Sequence, residues 1–160
     1  MIQAFTESGF SPDICTEDNR IDTTVASTQI RFLVKFINDL DGSIAYAYPT
    51  LTLGILPRYT RMIFGYNINP DLFSGSTKLF PAGHWKYEVY EVSWIGTVAV
   101  AVNTAPATET DILPVANTNG VVQGIVTKGI LNLTELAGTE QVQYTQHSVP
   151  SGTNTIYYGQ

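Results

Sequence analysis

Apolar and polar positions alternate with a period of two along most of this chain. Residues 29–37 read Gln-Ile-Arg-Phe-Leu-Val-Lys-Phe-Ile, with Ile30, Phe32, Val34 and Phe36 on one parity and Arg31, Leu33, Lys35 and Ile37 on the other. Successive side chains of a strand point to opposite faces, and β-branched and aromatic residues suit the pleat, so this stretch predicts a strand. The turn formers Asn38-Asp39-Leu40-Asp41-Gly42 follow, then a second run over 43–48. Together they predict a hairpin. A third run over 50–56 stops at Pro57, 58–68 resumes the pattern, and Asn69-Pro70-Asp71 breaks it. The clearest strand spans 84–93, where Trp85, Tyr87, Val89 and Glu91 alternate with Lys86, Glu88, Tyr90 and Val92. The pattern continues over 94–102, with Val98, Val100 and Val102 on one parity. Runs at 121–127 and 129–133 predict two further short strands, and 139–149 another. Between them, 103–119 is a polar stretch long enough for a functional or partner-dependent loop.

No segment carries a sustained apolar stripe at helical spacing. Roughly seven to nine strands separated by turn signals predict an all-β fold, an antiparallel sandwich or barrel. The expected organisation is an N-terminal arm or extended segment over 1–26, a β-sandwich domain over 27–138, and a C-terminal arm or final strand over 139–160. The last of these places Val142, Tyr144, Ile156, Tyr157 and Tyr158 among Thr, Gln, Ser and Asn. An extended segment can pair with a sheet edge and anchor itself by alternate side chains, and Tyr is enriched at interfaces. These five residues are therefore candidate interface residues. The alternatives are a last strand of the protein's own sheet or a frayed end.

Composition narrows the function classes. The 160 residues suit one domain. With 44% apolar and 14% charged residues, the chain falls outside the disordered class. Net charge is −6, divided as −1 over residues 1–86 and −5 over 87–160, where Lys128 is the only base. Nucleic-acid binding by counterion release needs a clustered basic face, so DNA and RNA are not expected partners. A single cysteine, Cys15, excludes an internal disulfide. Residues 1–10 lack the basic and apolar regions of a signal peptide, and no run approaches the ~20 apolar residues of a membrane helix. A soluble protein made in a reducing cytoplasm is expected.

Catalytic chemistry finds little footing. Cys15, His84 and His147 show no zinc-ligand spacing, and each reads more simply as an ordinary surface or strand residue. Asp39-Leu40-Asp41-Gly42 resembles the opening of a calcium loop, but position 50 is Thr rather than the required Glu. There and at Asn67/Asn69/Asp71, plain turns are the simpler reading. Glu88 and Glu91 have opposite parity, so they cannot flank one sugar as a catalytic pair. No Gly-x-Ser-x-Gly elbow or phosphate-cradling loop is present. The expectation is a non-enzymatic protein without cofactor or metal. Sugar stacking on exposed aromatics is a separate possibility, although Trp85, Tyr87 and Val89 read as a core stripe. If the other parity, with Tyr90 and Trp94, faces solvent, it forms a patch that wants a partner.

The stretch Leu79-Phe80-Pro81-Ala82-Gly83-His84-Trp85-Lys86-Tyr87-Glu88-Val89-Tyr90-Glu91 resembles the corner and aromatic strand of immunoglobulin-like sandwiches. There a Tyr hydrogen-bonds back across the corner, a position Tyr87 or Trp85 would fill. The antibody cysteine pair is missing, so the wider sandwich class is what this implies. With the Thr/Asn-rich, charge-poor composition, the stretch is similar to small β-sandwich virion proteins of tailed bacteriophages. Auxiliary capsid (decoration) proteins, those of crAss-like phages included, are the nearest class. The resemblance implies a virion location and a structural role on the capsid. The implied partners are the major capsid protein or other virion proteins, and copies of the chain itself. A tail, connector or head-fibre component, or a glycan- or host-binding module, is the alternative.

Overall fold

The strand over 83–93 is the axis of the fold, and both of its faces are covered. The computed structural model describes residues 1–136. It contains β1 (Ile2–Phe5), β2 (Asp13–Ile14), β3 (Ile30–Asn38), β4 (Ile44–Ala47), β5 (Thr50–Leu51), β6 (Thr60–Ile63), β7 (Gly65–Tyr66), β8 (Ser76–Thr77), β9 (Gly83–Ser93) and β10 (Val121–Thr134). Three single-turn 3₁₀ segments are the only helical elements among the described residues. The fold is all-β, with mixed and antiparallel sheets.

The main sheet runs β1-β10-β9-β3-β4. Its neighbours are antiparallel except β1, which lies parallel to β10 with Ile2 opposite Leu131. The predicted hairpin is β3–β4, with Val34 opposite Ala47 and Ile37 opposite Ile44. Its loop is shaped by Asn38, whose Oδ1 accepts from the Leu40 and Asp41 backbone N–H groups at 2.6 and 3.3 Å.

Register decides which residues share a face. Val34 opposite Val89 and Phe36 opposite Tyr87 place Ile30, Phe32, Phe36, Trp85 and Val89 on a first face. That face packs against Ile14, Met62 and Phe64 of the short β2-β6-β5 sheet and the residue after it. Phe10, Phe36 and Phe64 form an aromatic cluster there, with Phe10 stacked on Phe64 at 4.9 Å between centroids. The second face holds Leu33, Tyr48, Val92 and Trp94, covered by Ala105 and by Val98 and Val100. Fully burying a large apolar side chain is worth about 1.5–3 kcal/mol relative to exposure. Trp85, Val89, Val92 and Trp94, all essentially inaccessible, therefore anchor both layers through one segment.

Three expectations are corrected. The 94–102 run is not a strand: after Trp94 the chain leaves the sheet in turns, with the Thr104 and Ala105 N–H groups bonded to Ala101 O. Its alternating valines serve as a cover instead. Nor does 50–56 form a full strand, since only Thr50–Leu51 pairs with β6. The two short strands expected over 121–133 are one, whose period is interrupted by register shifts at Val122/Gly124 and Ile125/Thr127. Gly124 takes φ +146° at the first of these. The Tyr90/Trp94 face is not a bare patch, because the 95–120 loop lies on it. Within residues 1–26, β1 pairs with β10 and β2 with β6, and Glu17–Asn19 forms a single 3₁₀ turn. The predicted 139–149 strand lies outside the described residues.

Gly120 joins that loop to β10, and a Cβ there would lie 2.6 Å from the Trp94 ring and 2.9 Å from Val92. Gly120→Ala is expected to cost about 1–3 kcal/mol, as overpacking does. Chemical denaturation should show a lower midpoint at unchanged slope.

Candidate functional site

Several ionisable side chains among the described residues fasten the covers of the main sheet. Glu91 is fully buried on the first face, although the pattern alone marks it as a polar interruption of a core stripe. Its Oε2 and Oε1 accept from the backbone N–H groups of Ile21 and Asp22 at 3.1 and 2.7 Å. Ser93 Oγ donates to Asp22 Oδ2 at 2.9 Å and accepts from Gln123 Nε2 at 2.8 Å. Hydrogen bonds from Thr24 and Ser93 hold the Asp22 carboxyl below the usual carboxylate range. Arg20 completes the tether by donating to the carbonyls of Asp22 and Val25. One strand thus grips the N-terminal segment through β9 polar groups.

A second set of bonds holds the 95–120 loop on the other face. Lys35 Nζ and Tyr46 OH both donate to the Glu109 carboxylate, at 2.5 and 2.6 Å. Tyr48 OH donates to Pro106 O at 2.7 Å, and Trp94 Nε1 to Thr118 O at 3.1 Å. Burial alone would push the Glu109 carboxyl up, but the Lys35 and Tyr46 hydrogen bonds outweigh it and hold it below its ordinary value. Glu88, on the same face as Lys35, accepts from Tyr90 OH at 2.7 Å.

Residues singled out for chemistry are dispersed. His84 is exposed at the start of β9, and Cys15 is an exposed free thiol. Glu88 and Glu91 lie on opposite faces, as their parity predicts. Asp41 and Asn67 act as turn residues, accepting from the Ser43 and Asn69 N–H groups, while Asp39 pairs with Lys86. Among the described residues, no group of three or more His, Cys, Asp or Glu is placed to hold a metal ion. None of their helices is long and apolar enough to cross a membrane. Of the two corner candidates, Trp85 makes the bond back, its Nε1 donating to Pro81 O at 3.0 Å. Val142, Tyr144, Ile156, Tyr157, Tyr158 and His147 lie outside the described residues.

Among the described residues, part of one strand of the main sheet is unpaired on its outer side. β1 pairs with β10 only at 131–134. Over 121–130, no strand among the described residues pairs with the outer side of β10. Val121, Ile125 and Ile130 along this length are roughly half exposed. An unpaired row of N–H and C=O groups flanked by apolar side chains is a template for an added strand. Sequence reading assigned these residues to strands but could not know that β1 would stop short of them.

No protein-family model, curated protein or solved structure matches this chain.

Glu91→Ala is expected to leave the Ile21 and Asp22 amides without acceptors, at about 1–3 kcal/mol. Hydrogen exchange should speed up over 20–25 well before it does in β3 or β9. The Glu109 contact makes loop docking acid-sensitive. A carboxylate whose folded pKa is depressed stabilises above its unfolded value of about 4.3 and loses that contribution as pH falls through the folded value. Denaturation midpoints of the native chain are expected to fall more steeply below about pH 4.3 than those of Glu109→Gln. Parallel pH profiles would assign the acid sensitivity elsewhere.

Proposed function

We propose that this chain is a non-enzymatic structural protein of a phage particle. In this reading it is an immunoglobulin-like sandwich that binds the assembled capsid surface and stabilises it. The observation that carries the reading is the β10 edge over 121–130, ten residues left unpaired among the described residues and lined by exposed Val121, Ile125 and Ile130. Two further features support it: the resemblance of residues 79–91, whose Trp85 bonds back across the corner, and the tyrosine-bearing segment over 139–160. In this reading the edge receives an extended segment of a neighbouring virion protein, and Val142, Tyr144, Ile156, Tyr157 and Tyr158 are the chain's own contact residues.

Stabilisation follows from mass action. A protein that binds only the assembled lattice favours that lattice by its binding free energy. Repetition across a shell lets modest single-site affinities suffice.

Deleting 139–160, or placing lysine at both Ile125 and Ile130, tests the two contact elements separately. Each variant should keep native circular dichroism and lose particle occupancy by about tenfold or more, which corresponds to roughly 1.4 kcal/mol per site. Occupancy equal to that of the native chain in both variants would overturn the reading.

A further inference from the structure

At the end of the main sheet opposite the β3–β4 turn, Arg31 faces an open pocket of about 280 Å³, with Ser27, Thr28, Leu51, Leu53 and Ile55 around it. Arg31 is half-buried, and its Nη1 donates to the carbonyls of Thr28 and Ile30 at 3.1 and 2.6 Å. Those bonds orient the guanidinium and leave Nε and Nη2 without an acceptor among the described residues. Arg20, Lys35, Arg61 and Lys86 each pair with a carboxylate; of the four basic side chains without an ion pair among the described residues, Arg58, Lys78 and Lys128 are exposed and Arg31 alone is partly buried. Burial pulls its pKa below the ordinary arginine value, with no carboxylate beside it to offset the shift.

The walls define the complement. A planar guanidinium fork matches a carboxylate in a two-point contact. Leu51, Leu53 and Ile55 beside it favour an aliphatic stem over a fully hydrated anion. The volume suits one or two side chains rather than an extended ligand. With Arg31 the one cation of the lining, on a chain of net charge −6, the pocket gives no purchase to a polyanion. We infer that this pocket binds a carboxylate carried on an apolar chain: an acidic residue next to an aliphatic one in a protein partner. The inference does not depend on the particle reading, since the pocket is separate from the β10 edge.

The test is an NMR titration of the full chain with hexanoate, alongside hexanamide and inorganic phosphate. Hexanoate should shift the Arg31 Nε–H resonance and the amides of Thr28 and Leu53 saturably, with little effect from the other two. Arg31→Gln should abolish the response and Arg31→Lys should weaken it. Leu53→Asp alters an exposed wall without touching Arg31, and should weaken binding by about tenfold through charge repulsion. Equal shifts with hexanamide would reduce the pocket to an apolar crevice, and tighter binding of phosphate would make it a plain anion site. Either result, an unchanged response in Arg31→Gln and Leu53→Asp, or no response to hexanoate, overturns the inference.

Discussion

Two-sided burial of β9 is the constraint on which the rest of this structure depends. Trp85 and Val89 are sealed on one face, Val92 and Trp94 on the other. A sheet with one wet face needs a single cover; this one needs two, and 136 described residues must supply both. The first is the small β2-β6-β5 sheet with the N-terminal segment. The second has no sheet at all: it is the loop over 95–120, built from turns and held by side chains.

The scarcity of charge acquires a meaning in this light. Glu91, Asp22, Lys35 and Glu109 hold backbone segments or one another rather than facing a shared cleft. Hydrogen bonds to charged groups are worth about 1.5–3 kcal/mol each, and leaving a buried one unmade costs more than making it gains. Such groups fix the position of covers that apolar contact alone would leave free to slide. Two features of the described residues are left outside these fastenings: the β10 edge, and a pocket with one arginine.

The strands with two well-packed faces were legible in the sequence. β3 and β9 show strict alternation because each parity meets its own cover, and the hairpin announced itself through Asn38–Gly42. The failures share a cause. Val98 and Val100 alternate like strand residues, yet period two reports only that alternate side chains are buried, and a loop can satisfy that. The β10 irregularities shift parity twice, so one strand reads as two. The attachment of the first 26 residues was not legible, because it rests on pairing of β1 with β10 and β2 with β6 and on backbone N–H groups of Ile21 and Asp22 that pattern cannot reveal. Arg31 sits in a clean strand pattern, and only its partial burial beside a pocket, without a carboxylate partner, makes it notable.

The central claim is that the β10 edge is completed by a strand from outside. Hydrogen–deuterium exchange over 121–130, compared between the free full-length chain and the chain on purified particles, addresses it most directly. The account predicts that the outward-facing alternate amides, which exchange readily in the free chain, become protected on the particle while the amides bonded to β9 change little. Equal exchange of those outward amides in both states would contradict it.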